Sequence, residues 1–282
     1  GEGQSACACQ KQGRQEVVDI YMERYRRGKG KRQLLGSHQK CWIWGRNAVL
    51  ESLRSGRWPI LELRIADDVQ SANLDAVRAD AKRLGIVPIA VTAAEIVRLC
   101  HSTEHQGFLA KMAEYPYVEW PATLADLRQR PAPLVMALDA IQDPFNFGAI
   151  LRSAEVFGVD AVVIGTSNQV EVTSMVARSS AGAVNRLAIA RVDELPSALS
   201  GMRDAGLSII GASERAGSAV DRMDLVHGLT IVIGNEGRGL SPAVQAVCSD
   251  FARIPQHGGI GSLNAAIAAS IIMYEIRRQR SK

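Results

Sequence analysis

The chain has 282 residues, of which 47% are hydrophobic and 22% are charged, so it carries enough apolar side chains for a sizeable buried core. No apolar run reaches the roughly 18–20 residues that cross a bilayer, and the polar first residues do not look like a secretion signal. We therefore expect neither a membrane protein nor a secreted one. Five cysteines, of which only Cys7 and Cys9 are close in sequence, predict a reduced, cytoplasmic protein without a zinc site.

The formal net charge of +4 is concentrated at the beginning of the chain. Residues 1–40 hold nine lysines and arginines against four acidic residues, which gives this stretch a net charge of +5. Two glycines interrupt its most basic part, Arg24–Arg32, and disfavour a stable helix there. The composition predicts a flexible basic extension, which either contacts RNA phosphates through counterion release or only aids solubility.

A compact α/β unit is predicted for residues 41–115. Its strands are expected at Ile60–Ala66, where apolar side chains alternate, at Val87–Thr92 and at Gly107–Tyr115. Helical periodicity marks the segments before and between these strands. The unit has no nucleophile beside a base, and its turn histidine, His105, is expected to be exposed, with a ligand contact as the alternative.

Four prolines within residues 116–133 predict a linker, after which the composition changes. Residues 134–282 are predicted to form a second unit, which is rich in strongly apolar runs. These runs are Leu134–Asp139, Asp160–Gly165, Leu207–Ser213 and Leu229–Gly234. Because apolar strands that alternate with helices are buried on both faces, the pattern predicts an α/β fold with a parallel sheet.

The first of three polar, glycine-containing loops after predicted strands is Asp143–Gly158, DPFNFGAILRSAEVFG. Its first six residues are expected to form a turn, and a helix is expected from about Gly148. On that helix Arg152 lies opposite the apolar face, about one and a half turns from the N-terminus, where backbone N–H groups attract anions. Arg152 is therefore either a phosphate contact or an ordinary solvated arginine.

The other two loops are Gly234–Pro242, GNEGRGLSP, and Ile254–Ser270, IPQHGGIGSLNAAIAAS. In the first, Glu236 either accepts a hydrogen bond from a sugar hydroxyl or caps the next helix. In the second, Ser262 is the expected helix N-cap, and Asn264 is expected in the first helical turn. The glycine spacing does not match a dinucleotide-binding fingerprint, which argues against a nucleotide-dependent oxidoreductase.

These three stretches, in this order, resemble the three sequence motifs of the SpoU (TrmH-like) family of RNA ribose 2′-O-methyltransferases, part of the SPOUT superfamily. The similarity extends from Leu134 to the end of the chain. The preceding unit, with IWGRNAVLESLRSGR and HQGFLA, is similar to the small RNA-binding domain that precedes the catalytic domain in many members. Bacterial enzymes that methylate 23S ribosomal RNA, including antibiotic-resistance members, are the most similar subtype.

The resemblance implies a parallel sheet with a C-terminal trefoil knot, a homodimer, S-adenosylmethionine as methyl donor and RNA, above all ribosomal RNA, as substrate. It implies no metal. By motif position it implies five catalytic residues, which are Asn146, Arg152, Glu236, Ser262 and Asn264. It implies cofactor contacts at Ala212, Gly234, Asn235, Ile254, Leu263 and Asn264.

The role of Arg152 and the identity of the RNA target each have alternatives. Arg152 either loses a proton transiently and acts as the base, or stays charged and stabilises the developing alkoxide. Because an arginine side chain normally remains protonated, we favour the second role. A transfer-RNA target and a catalytically silent RNA-binding protein are the alternatives to ribosomal RNA methylation.

Overall fold

A computed structural model describes residues 41–70, 74–259 and 261–281. The predictions for the basic extension, residues 1–40, lie outside the described residues. Within the described part of the chain, no helix combines the length and the apolar character needed to cross a membrane.

The first part of the described chain forms a four-stranded sheet with three helices. In chain order its elements are β1 (Trp42–Trp44), α1 (Arg46–Ser55), β2 (Ile60–Ala66), α2 (Leu74–Arg83), β3 (Ile89–Val91), α3 (Ala93–Cys100) and β4 (Phe108–Met112). The strand order is β1-β4-β2-β3, with antiparallel pairs on both sides of β4 and a parallel pair between β2 and β3. The predicted α/β character is confirmed, and β1 is an additional strand.

The prediction that His105 is exposed is wrong. Its side chain is only 8% exposed, and its Nδ1 accepts a hydrogen bond from the backbone N–H of Gly107 at 3.0 Å. Gly107 has a φ of +81°, and a Cβ there would lie 2.1 Å from Val69 Cγ2. The histidine therefore holds a tight turn before β4.

The second part of the described chain forms a seven-stranded sheet. Its elements are α4 (Trp120–Leu127), β5 (Leu134–Asp139), α5 (Pro144–Val156), β6 (Ala161–Gly165), α6 (Ser174–Ser179), β7 (Ile189–Val192), α7 (Leu195–Asp204), β8 (Ser208–Ala212), β9 (Ser218–Ala219), β10 (Leu229–Gly234), α8 (Pro242–Gln245), β11 (Asp250–Arg253) and α9 (Ala265–Arg280). The strand order is β7-β6-β5-β10-β8-β11-β9, and every pair is parallel. The predicted parallel α/β sheet is confirmed, while the knot stays a prediction.

The sheet is covered on both faces because its strands are apolar in both directions. Along β5, Leu134, Met136 and Leu138 belong to a buried cluster shared with α5, α6 and α9. Val135 and Ala137 belong to a second cluster shared with α4, α7 and α8. The neighbouring strands β5 and β10 thus lead to helices on opposite faces, α5 and α8, which opens a crevice at their carboxyl ends.

Helix α5 begins earlier than its sequence predicts. Asp143 is its N-cap and accepts a hydrogen bond from the N–H of Phe145 at 3.0 Å, and Pro144 occupies the first helical position. Proline favours this position because the N–H that it lacks has no partner in a first turn. The predicted turn over residues 143–148 is therefore wrong, and Asn146 lies in the first turn of α5.

Helix α6 crosses α5 at very close range. A Cβ on Gly148 would lie 1.8 Å from Ser179 Oγ and 2.9 Å from the backbone N of Ser180. The Ser179 hydroxyl also lies 3.1 Å from the Pro144 carbonyl oxygen, which it can use as an acceptor. The glycine is required here because the two helix backbones approach one another.

The two sheets are joined through the segment that follows β6. The Tyr115 hydroxyl donates to the Val184 carbonyl at 2.6 Å, and Arg57 donates to the Leu187 carbonyl. The Arg178 guanidinium lies 4.1 Å from the Trp44 ring centroid. The predicted linker contains α4, and the domain boundaries inferred from composition stay a prediction.

The end of the last helix, α9, contacts the seven-stranded sheet at the amino ends of its strands. The Arg280 guanidinium donates to the carbonyl oxygens of Ala132 at 2.8 Å, of Leu225 at 3.1 Å and of His227. These carbonyls precede β5 and β10. One side chain therefore connects the end of α9 to the amino ends of the two central strands.

A candidate active site at the carboxyl ends of the strands

The loops that follow β5, β10 and β11 meet at the carboxyl edge of the seven-stranded sheet. Asn146 Nδ2 donates to Glu236 Oε1 at 2.9 Å, and Asn264 Nδ2 donates to Asn146 Oδ1 at 2.9 Å. The side chain of Asn146 therefore uses its donor and its acceptor on two different loops. We call Asn146, Glu236 and Asn264 the amide–carboxylate cluster.

Asn264 also ends the third loop. Its Oδ1 accepts hydrogen bonds from the N–H groups of Ala266 at 2.9 Å and Ile267 at 3.2 Å, so Asn264 is the N-cap of α9. The prediction that Ser262 is the cap and that Asn264 lies inside the first turn is wrong. The two residue types cap equally well, and only the side-chain contacts distinguish them.

The loop after β10 closes on itself. The Asn235 Oδ1 accepts from the N–H groups of Gly237 at 3.0 Å and Arg238 at 3.1 Å, and its Nδ2 donates to the Ala140 carbonyl at 2.8 Å. A Cβ at Gly234 would lie 2.3 Å from the carbonyl carbon of Gly239. Glu236 caps no helix, since the N-cap of α8 is Ser241, so the capping alternative for Glu236 is wrong.

A cavity of about 780 Å³ lies between these loops and the one after β8. Its walls include five of the residues predicted to contact the cofactor, together with two predicted catalytic residues. They are Ala212, Gly234, Asn235, Ile254 and Leu263, and then Glu236 and Ser262. Asn264, also predicted as a cofactor contact, does not line this cavity. We call this cavity of about 780 Å³ the first cavity, and its volume is that of a typical cofactor site.

The first cavity suits a ligand that carries both positive charge and hydrogen-bonding hydroxyl groups. Three carboxylates line it, from Glu214, Glu236 and Asp250, beside the guanidinium groups of Arg215 and Arg238. S-adenosylmethionine has a sulfonium, an amino group, a carboxylate and ribose hydroxyls, and this donor set can serve each of them. Among the described residues, no group of side chains could hold a metal ion.

Arg152 stands apart from the amide–carboxylate cluster. Its side chain is exposed, as the helical pattern predicts, and it forms no hydrogen bond or ion pair with any residue that the structure describes. Since α5 begins at Pro144, Arg152 lies a little over two turns into the helix rather than one and a half. It is six residues from Asn146, which is about 9 Å along the axis and roughly 120° around it.

Asp139, at the end of β5, was not singled out by the sequence patterns. It is 9% exposed, and its Oδ2 accepts a hydrogen bond from the Ser241 N–H at 2.6 Å. The signal was a single carboxylate at the end of the apolar run LVMALD. Burial, and then the negative charge of Asp139, raises the pKa of the nearby Cys248 thiol to about 11, so this thiol is not a nucleophile at neutral pH.

Comparison with known proteins agrees with this arrangement. A family model described as "SpoU rRNA Methylase family" matches residues 133–274, and a model described as "RNA 2'-O ribose methyltransferase substrate binding" matches residues 42–118. Together the two matches cover both sheets.

Two solved structures have a similar fold. The SpoU methyltransferase AviRb from Streptomyces viridochromogenes, in complex with AdoMet, is 25% identical with a TM-score of 0.73, over 86% of this chain and 91% of that one. An AdoMet-bound rRNA methyltransferase from Sinorhizobium meliloti is 25% identical with a TM-score of 0.73, over 85% of this chain and 87% of that one.

Among curated proteins, an uncharacterized tRNA/rRNA methyltransferase of Mycobacterium tuberculosis is 36% identical over 241 residues, which are 85% of this chain and 74% of the relative. Since this identity accompanies a family-model match to residues 133–274, more than half of the chain, the protein belongs to the SpoU rRNA methylase family of RNA methyltransferases.

Proposed function

We propose that this protein transfers a methyl group from S-adenosylmethionine to a ribose 2′-hydroxyl in RNA. We further propose that the RNA is 23S ribosomal RNA. One observation carries the proposal: the amide–carboxylate cluster borders the first cavity through Glu236, which belongs to both. A methyl donor in the cavity and a sugar hydroxyl at the cluster would then be neighbours.

The residues of the first cavity would hold the cofactor mainly through backbone groups. Gly234 lies at the end of β10, Ile254 and Leu263 lie in the loop after β11, and Asn235 and Ala212 line the same cavity. When bound, S-adenosylmethionine supplies an electrophilic methyl group on a sulfonium. The role of the chain is to exclude water around that methyl group and to orient the ribose toward it.

The amide–carboxylate cluster would orient the ribose. Each oxygen of Glu236 and the Oδ1 of Asn146 can accept from a sugar hydroxyl, and their mutual bonds hold them in place before RNA arrives. Pre-oriented groups cost no reorganisation when the substrate binds. Ser262, exposed on the wall of the cavity, could contact the sugar or the cofactor through its hydroxyl.

Arg152 would supply the positive charge. Its guanidinium has no protein partner among the described residues, so it is available to an RNA phosphate and to the alkoxide that forms as the 2′-hydroxyl loses its proton. A guanidinium that stays protonated can perform this role, whereas a base would have to release a proton from one of the weakest acids among side chains.

The four-stranded sheet would bind the RNA. It matches the substrate-binding model, and the basic extension of residues 1–40 precedes it in the chain. A transfer-RNA target is the alternative, since the relatives are named for both tRNA and rRNA. We expect the activity in the cytoplasm, where these RNAs are found.

We also propose a homodimer formed by α5 and α9. These helices pack on each other, with Ser153 Oγ 2.8 Å from Ser270 Oγ, and α9 has an exposed apolar side. Ile267 is 52% exposed, Ile271 is 37% exposed and Tyr274 is 58% exposed, and these three lie on one side of α9. Light scattering should show Ile271→Asp as a monomer, while Val87→Asp, at an 83% exposed site in the loop before β3, should stay a dimer.

A methyl-transfer assay tests the reaction. Ribosomal RNA and transfer RNA, each from cells lacking the gene, would be incubated with labelled S-adenosylmethionine and digested to nucleosides. We expect label in a 2′-O-methylated nucleoside from the ribosomal RNA, and about a hundredfold less or lower still with Arg152→Ala. Label only in transfer RNA would establish the alternative target, label on a base would refute ribose methylation, and cofactor binding without transfer to either RNA would indicate a silent RNA-binding protein.

A further inference from the structure

A second cavity, of about 520 Å³, lies on the other side of the loop that carries Glu236. It opens at the carboxyl ends of β5, β6, β7 and β10, in the crevice between β5 and β10. Asn235, Arg238 and Leu240 line both this cavity and the first one, so a single loop separates the two. Crevices at such a change in strand connection are where α/β sheets bind ligands.

The charge of the second cavity restricts what it can hold. Three carboxylates line it, from Asp139, Asp193 and Glu194, against one guanidinium from Arg238. An excess of carboxylates repels phosphate and favours a group that offers N–H donors. The cavity therefore suits the base of a nucleotide rather than its phosphate.

Asp139 is the buried acceptor in this cavity. Its Oδ2 accepts from the Ser241 N–H at 2.6 Å, while its Oδ1 accepts no hydrogen bond from any residue that the structure describes. The Asp139 Oδ1 is not fully enclosed, so it can be reached from the cavity although the residue is only 9% exposed. A donor from a ligand would complete its hydrogen bonding.

We propose that the second cavity binds a nucleobase of the RNA substrate, one with an exocyclic amino group that donates to Asp139. The inference rests on the proposed function, because it places the base beside the ribose that the cluster orients. Leu195, Pro196 and Leu240 provide apolar surface for the faces of the ring. Gln142 lines the cavity and lies four residues before Asn146 in the chain.

Two variants test the second cavity. Asp139→Asn keeps an acceptor for Ser241 but removes the carboxylate, and Ser167→Trp fills the cavity from its exposed rim. Ser197→Trp places the same bulk on the exposed surface of α7, outside the cavity, and is the matched control. Affinity for an unmodified ribosomal RNA transcript is measured by filter binding, and affinity for S-adenosylhomocysteine by calorimetry.

We expect Asp139→Asn and Ser167→Trp to bind the RNA about tenfold more weakly, the value of one good base contact, with unchanged affinity for S-adenosylhomocysteine. Unchanged RNA affinity in both variants, or a parallel loss of S-adenosylhomocysteine affinity, would overturn the inference. RNA binding that depends on these variants without any methyl transfer would refute the proposed function but keep the cavity. In a transferring enzyme, a uridine at the methylated position would contradict the amino-group requirement.

Discussion

Asn146 and Arg152 lie six residues apart on the same helix, yet their surroundings differ completely. Asn146 is bonded to two loops through 2.9 Å hydrogen bonds, whereas Arg152 is exposed and forms no hydrogen bond or ion pair with any described residue. The amide–carboxylate cluster is assembled before any substrate is present. Only the backbone of Arg152 is fixed by the protein, and any hydrogen-bond partner lies outside the described residues.

This difference separates two kinds of contribution to a site. Removing a group from the cluster disturbs the protein itself, because its partners lose their hydrogen bonds. Removing the Arg152 side chain disturbs little in the protein, so any loss of activity reports the substrate or the transition state directly. Substitutions in the amide–carboxylate cluster should therefore affect stability, whereas substitutions of Arg152 should affect activity.

The largest effect is expected at Arg152. Arg152→Ala should lower methyl transfer about 10²- to 10³-fold, the cost of one donor to a developing oxyanion, and should leave the melting temperature unchanged. Single-turnover methyl transfer and thermal unfolding measure the two quantities. Arg152→Lys should retain measurable activity, since it keeps the charge, whereas a lysine variant as inactive as alanine would indicate guanidinium geometry or base action.

A smaller effect is expected at Gly148, which lies between Asn146 and Arg152 on α5, so that a change there acts on the surroundings of both. Gly148→Ala places a Cβ 1.8 Å from Ser179 Oγ and should destabilise the protein by about 1–3 kcal/mol, as overpacking does. Gly201→Ala in α7 is the matched control, because its Cβ would meet only Leu124 at 3.6 Å. Denaturant unfolding should show loss for Gly148→Ala and slight gain for Gly201→Ala, and equal effects would contradict a close helix crossing.

The next effect separates the two roles of Asn264. Asn264→Ala removes the N-cap of α9 and should cost about 1 kcal/mol, whereas Asn264→Ser keeps a cap and should lie near the wild type in stability. Both variants lose the donor to Asn146, so both should transfer methyl more slowly. If serine restored the rate as well as the stability, capping alone would explain this residue.

The smallest effect is a dependence on pH. Asn146→Asp replaces a donor with a second carboxylate facing Glu236, and two like charges at a surface cost about 0.5 kcal/mol. The repulsion raises the folded-state pKa of one carboxylate above its unfolded value, so the loss should be absent in acid and appear as pH rises through the carboxylate range. Asn146→Ala should show no such slope in unfolding experiments between pH 4 and 7.

The strands of the second sheet could be predicted where their sequences are long and apolar. LVMALD and LTIVIG match β5 and β10 residue for residue. The short strands β1, β9 and β11 could not be predicted, because two to four residues carry no periodicity and their pairing partners are distant in sequence.

Candidate residues for the site could be named from the sequence, whereas their geometry could not. Proline, asparagine and glycine in DPFNFG suggested a turn, but proline also begins helices, and Gly148 serves a helix crossing rather than a bend. That Asn146 would bond to Glu236 and Asn264 depends on three loops meeting, which no local pattern encodes. Asp139 was missed for the same reason.

The bonds of Arg280 have a consequence for synthesis of the chain. Every strand of the four-stranded sheet lies between residues 42 and 112, so this sheet can pair while translation continues. The central strands of the larger sheet are joined to α9 through Arg280, which is synthesised after all of these strands. We therefore expect the four-stranded sheet to fold early and the catalytic part to finish only once α9 has been made, so that a growing chain can bind RNA before it can modify it.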